Sequence, residues 1–206
     1  MKENNFEREL PAGYTQALYI NAKDVKFGVI FNLIAVVVLG IVMAGAFLSL
    51  RFNGGMSFNF SELDLWRLTV AYTVFLVSML GYIILHELVH GIAYKALTGE
   101  RLTFGISWSC AFCGVPNIYT YRRAAIVAIL APFITFTVLL VPITVLLYFI
   151  DPLFYLIVAF LLGLHLGGCS GDLYVFYLLM AKFKDNKTLI RDTGPEQFFY
   201  ISEAEN

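Results

Sequence analysis

The sequence predicts an all-α membrane protein: four transmembrane helices, with a short β-hairpin or re-entrant segment between the second and third. Two observations carry this. Of 206 residues, 59% are hydrophobic and only 14% charged, and the mean hydropathy of +0.76 is far above that of a soluble globular chain. Four stretches, at about 26–50, 65–94, 124–150 and 153–181, each exceed the roughly 20 apolar residues needed to cross a hydrocarbon core. Residues 1–206 therefore read as a single integral membrane domain. The formal net charge of −1 leaves no basic surplus for nucleic acid. Three cysteines do not make a disulfide framework.

Residues 1–25 are mixed in charge and interrupted by Pro11-Ala12-Gly13, which predicts a short strap near the membrane surface. The first span follows; it is too long for the apolar core of a signal peptide and reads as uncleaved. Basic residues set the orientation. Lys2, Arg8, Lys23, Lys26, Lys95, Arg101, Arg122, Arg123, Lys182, Lys184, Lys187 and Arg191 all fall on one side of the four spans, leaving only Arg51 and Arg67 opposite. The positive-inside rule makes that side cytoplasmic, so both termini are expected there, in a multi-pass protein of the plasma (inner) membrane.

The first connection contains Asn53-Gly54-Gly55, a turn signal, and Ser61-Glu62-Leu63-Asp64, which reads as a capping box for the second span. The Asn59-Phe60-Ser61 pattern is too common by chance to carry weight.

The second span holds Ile83-Ile84-Leu85-His86-Glu87-Leu88-Val89-His90-Gly91. On a helix, His86 and His90 are one turn apart and their imidazoles share a face, the spacing that gives Zn²⁺ two nitrogen ligands. Glu87 can then sit beside a metal-activated water and take its proton. Three such polar groups within five residues are expensive to hold in hydrocarbon, which weighs against an incidental match.

Residues 101–121 are apolar but broken by Gly105, Gly114 and Pro116, and rich in residues that favour extended structure. They supply the expected hairpin or re-entrant segment, whose edge could pair with an extended peptide substrate. Cys110 and Cys113 form a lone C-x-x-C in a segment facing a reducing compartment, and read as free, packed thiols rather than a second metal clip. The third span contains Pro132 and Pro142, either of which could kink it, and no charged residue.

The fourth span carries His165-Leu166-Gly167-Gly168-Cys169-Ser170-Gly171-Asp172. Asp172 is expected at the same depth as His86, and a carboxylate inside a membrane needs a partner, so Asp172 is the candidate third zinc ligand. His165 is the alternative. On a regular helix it would stand about 10 Å from Asp172 along the axis, too far to share one ion unless the glycines unwind the segment. The tail ends in an apolar patch, Gln197-Phe198-Phe199-Tyr200-Ile201, expected to dock on the cytoplasmic face.

Taken together, HELVHG, Ala131-Pro132-Phe133 and GGCSGDLY resemble the putative zincin peptidases, a family of small bacterial integral membrane proteins, over most of the chain. More distantly the layout is similar to the site-2 intramembrane metalloproteases, although Asp172 here follows Gly171 and precedes Leu173. The resemblance implies a zinc peptidase with His86, His90 and Asp172 as ligands and Glu87 as catalytic base. The expected partners are the lipid bilayer and a membrane-protein or peptide substrate. Two other classes stay open: an inactive zinc-binding membrane protein serving as sensor or assembly subunit, and a small proton-coupled transporter. The transporter predicts no stoichiometric metal, and no internal repeat supports it.

Overall fold

Long apolar runs with few breakers propagate as helices, because in hydrocarbon each backbone N–H and C=O must find its partner within the segment. A computed structural model describes residues 5–52, 64–106 and 111–202. Its helices are α1 (Val25–Phe52), α2 (Leu65–Thr98), α3 (Arg122–Tyr148), α4 (Pro152–Gly168) and α5 (Ser170–Ala181). Among the described residues four helical stretches are long and apolar enough to cross a membrane: α1, α2, α3 and the consecutive pair α4–α5. The turn signal at Asn53-Gly54-Gly55, the residues Asn59 and Ser61, and Cys110 lie outside the described residues. Asp64 caps α2 itself, its Oδ1 accepting from Arg67 N at 2.6 Å.

The β content corrects the sequence expectation. A hairpin does join α2 to α3, with β3 (Thr103–Ile106) antiparallel to β4 (Ala111–Gly114). It is the smaller part. The strap and the tail, expected to lie against a surface, instead form strands: β1 (Phe6–Glu7), β2 (Tyr14–Asn21), β6 (Leu189–Asp192) and β7 (Glu196–Ser202). With β5 (Tyr119–Tyr121) they build a five-stranded sheet in the order β1-β5-β6-β7-β2. Each of its pairings is antiparallel. β2 carries an irregularity between Gln16 and Leu18 that shifts its register against β7.

The chain forms two compact units. One comprises Met1–Ile30, Leu85–Pro132 and Gly171–Asn206; the other comprises Phe31–Ile84 and Phe133–Ser170. The first holds both sheets and two buried clusters. Ile190, Phe199 and Leu179 centre one of them, with Phe183 stacked on Phe199 at 5.0 Å. Tyr94, Val115, Ile118 and Ala128 centre the other. The patch Gln197–Ile201 thus lies within β7, where Phe199 is core.

The second unit is helical. Gly163 and Gly167 on α4 face α1: a Cβ on Gly163 would meet Leu39 Cδ1 at 2.8 Å, and one on Gly167 would meet Ala35 Cα at 2.7 Å. This is the small-residue spacing that lets apolar helices approach backbone to backbone. Polar links reinforce it, Ser49 Oγ with Tyr155 Oη at 2.9 Å and Arg67 Nη2 with Asp151 Oδ2 at 2.7 Å. Asp151 also caps α4, accepting from Leu153 N and Phe154 N.

Candidate metal centre

α2 places His86 and His90 one turn apart, with ring centroids 5.0 Å from each other and both side chains buried. Their Nε2 atoms point at one acceptor. Asp172 Oδ2 lies 3.4 Å from His86 Nε2 and 3.5 Å from His90 Nε2. Those gaps are long for direct hydrogen bonds. Ligands held about 2.0–2.2 Å from a tetrahedral zinc stand roughly 3.3–3.6 Å from one another, so the carboxylate oxygen lies at coordination-shell separation from each histidine, and the three ligand atoms all fall within 4.8 Å of one another. Two imidazoles and one carboxylate are also a donor set suited to zinc, with room for a fourth, exchangeable position.

The α4–α5 stretch supplies the carboxylate. α4 ends at Gly168 and α5 begins at Ser170, with Cys169 alone between them, and Cys169 N still bonds back to His165 O at 3.0 Å, the spacing of an ordinary helical turn. The span expected over 153–181 is found as Pro152–Ala181, with this local irregularity beside Gly167, Gly168 and Gly171, residues of low helix propensity. Asp172 falls in the first turn of α5.

His90 is oriented from behind. Its Nδ1 donates to the Ala128 carbonyl at 2.9 Å, which leaves the Nε2 lone pair for a metal. Gly91, the last residue of the motif, lets the hairpin lie against this turn of α2. A Cβ there would meet Phe104 Cζ at 2.7 Å and Leu102 Cδ1 at 3.1 Å. Glu87 is partly buried and near enough to His86, His90 and Asp172 for their charges to act on it.

His165 belongs to the second unit and is fully buried there. Its Nδ1 meets Tyr82 Oη at 3.1 Å and its Nε2 meets Thr137 Oγ1 at 3.0 Å. Both ring nitrogens thus have protein partners. Cys113 is buried in β4, and burial, reinforced by nearby Asp192, pushes its thiol up to about 12, which keeps it protonated and a poor metal ligand at neutral pH.

Sequence reasoning missed one neighbour of the site. Tyr94, one turn beyond His90, donates to Asp192 Oδ2 at 2.7 Å, and both residues are buried. The i, i+4, i+8 run of His86, His90 and Tyr94 was the available signal; the partner, in the tail, had none.

Among the described residues, a His-Glu-x-x-His turn on an apolar helix and an aspartate beside it bring together a group able to hold a metal ion. The model of the family described as putative zincin peptidases matches residues 79–186, and the chain belongs to that family. Membership marks it as a metallopeptidase in general terms and implies zinc as its metal. No curated protein and no solved structure matches the chain.

Proposed function

We propose that the protein is a membrane-embedded zinc endopeptidase, its residues 1–206 acting as one domain of the plasma membrane with both termini in the cytoplasm. His86, His90 and Asp172 hold the metal, and Glu87 is the general base. The observation that carries the reading is the approach of one Asp172 oxygen to both histidine Nε2 atoms, 3.4 and 3.5 Å away.

Bound zinc supplies Lewis acidity, polarising the scissile carbonyl and making water a better acid. The chain's residues do the rest. The Glu87 carboxylate takes a proton from the attacking water as its oxygen bonds to the carbonyl carbon. When the C–N bond breaks, Glu87 hands that proton to the departing amine. Asp172 balances charge on the metal. The Ala128 carbonyl keeps His90 in the tautomer that presents Nε2. Substrates are membrane proteins or peptides, drawn out to expose an amide. In β3, which pairs with β4, Phe104 and Ile106 are exposed, which suits reception of an extended chain.

The test is metal content of the detergent-purified protein by elemental mass spectrometry, with His86→Ala, Asp172→Ala and His165→Ala beside it. About one zinc per chain, lost in the first two variants and kept in the third, supports the reading. Zinc kept by Asp172→Ala and lost in His165→Ala would transfer the third ligand to His165. A wild type that takes up no zinc would sink the peptidase and favour a transporter. Unchanged cellular function in Glu87→Gln would favour a zinc-binding sensor or assembly subunit.

A further inference from the structure

Pro132 is fully buried inside α3, which runs unbroken from Arg122 to Tyr148. A proline within a helix has no N–H for the carbonyl four residues earlier. Here that carbonyl is Ala128's, the acceptor of the His90 Nδ1 proton. Ala128 is itself fully buried, and a buried carbonyl deprived of its regular helix donor is costly unless another donor meets it. His90 has the complementary need: Nδ1 must hold the proton if Nε2 is to offer a lone pair to a metal.

We infer that Pro132 is a positioning residue for the metal centre: by withholding an N–H it reserves the Ala128 carbonyl for His90, fixing that ring's tautomer and angle. The inference rests on His90 being a ligand. A carbonyl oxygen has two lone pairs, so an N–H at position 132 competes with the imidazole and weakens its bond without forbidding it. Pro142, in the same helix, is the internal contrast. It is exposed, and the carbonyl it vacates belongs to exposed Val138.

The experiment is competition for zinc between the purified full-length protein and a chromogenic chelator, for wild type, Pro132→Ala and Pro142→Ala. Loss of an outer partner of a ligating histidine costs about 10- to 100-fold in metal affinity; Pro132→Ala weakens that partner without removing it, so zinc affinity should fall measurably, by up to about 10-fold. Its metal-free unfolding temperature should stay level or rise, since the new N–H restores a helix bond. Pro142→Ala should leave zinc affinity unchanged. A Pro132→Ala protein with wild-type zinc affinity overturns the inference, whatever happens to its stability.

Nitrogen NMR of the metal-free wild type, labelled in histidine and recorded at a pH high enough for the His90 ring to be neutral, reads the tautomer without any substitution. A proton on His90 Nδ1 is expected, and an unprotonated Nδ1 would overturn the inference even if Pro132→Ala fails to fold. Zinc binding that survives His90→Ala defeats the ligand assignment itself. Zinc that needs His90 but ignores Pro132→Ala defeats only the role of Pro132.

Discussion

Tyr94 donates its hydroxyl hydrogen bond to Asp192 at 2.7 Å across 98 positions of chain, tying the helix that bears His86 and His90 to the end of β6. Asp192 Oδ1 also accepts from Gly194 N at 2.8 Å, and its carbonyl accepts from Val115 N at 2.8 Å. One residue thus joins helix, hairpin exit and tail. Burial is the main reason its carboxyl is pushed up to about 6 from an ordinary value of 3.8, against the lowering effect of the Tyr94 hydrogen bond.

That shift fixes a pH dependence. The folded state holds the Asp192 proton more tightly than the unfolded state, so the stabilisation is complete below about 3.8 and is lost as pH rises through about 6. Asp192→Asn removes the titration. Compared with wild type, the variant should gain on the order of 2–3 kcal/mol between pH 4 and pH 7. Denaturant or thermal unfolding of the metal-free protein across that range measures it, and a constant difference between the two proteins would refute the assignment.

Glu87→Gln keeps the size of the side chain and removes the base. Zinc content should remain that of wild type while peptide hydrolysis falls about 10²- to 10⁴-fold, the usual worth of a positioned general base. Single-turnover cleavage of a transmembrane reporter, with zinc measured on the same sample, is the check.

Two glycines should differ in their tolerance of alanine. A Cβ on Gly114 would run into the backbone of Gly194 and Thr193 and lie 2.9 Å from Asp192 O, atoms that cannot move without shifting the tail. At Gly91 the obstacle is the ring of Phe104, a side chain at the hairpin surface that can turn aside. Gly114→Ala is expected to exceed the ~1–3 kcal/mol typical of overpacking, and Gly91→Ala to stay at or below its lower end. Unfolding temperatures of the two variants, measured together, decide the order.

The Cys113 thiol should be inert. With its pKa pushed up to about 12, almost none is thiolate at neutral pH. Iodoacetamide at pH 7.5 should leave Cys113 unmodified in the folded protein and alkylate it after denaturation, as read by peptide mass spectrometry.

The helices were legible because each is a local, continuous hydrophobic signal. α1 extends the expected 26–50 only to Val25–Phe52, and α3 covers Arg122–Tyr148 against 124–150. His86 and His90 were legible for the same reason: four residues on a helix fix a shared face wherever the rest of the chain goes. Asp172 was legible as a carboxylate in an apolar stretch that needs a partner; the equal depth expected of it does not hold, because α2 runs on to Thr98 and leaves His86 farther from its helix end than Asp172 is from the end of α5. The five-stranded sheet was not. Its strands are short, come from separate parts of the chain, and owe their pairing to partners far away in sequence. In β2 the register shift between Gln16 and Leu18 also breaks the alternation that would have marked a strand. Asp192 was missed with the sheet: nothing adjacent to it announces Tyr94.

The pairing of β2 with β7 sets an order of events during synthesis. Tyr14 is matched to Ser202 and Asn21 to Glu196, so β2, among the first parts of the chain made, waits for nearly two hundred further residues before its neighbour exists. At about 5–20 residues per second, that wait is on the order of 10–40 seconds. For roughly its second half α2, with His86 and His90, has already been translated, whereas the Asp192 that secures Tyr94 has not left the ribosome. The nascent protein therefore passes through a period in which its motif helix is made and its anchor is missing. A hydrolase assembled in this order cannot acquire its finished catalytic architecture until its tail has been made.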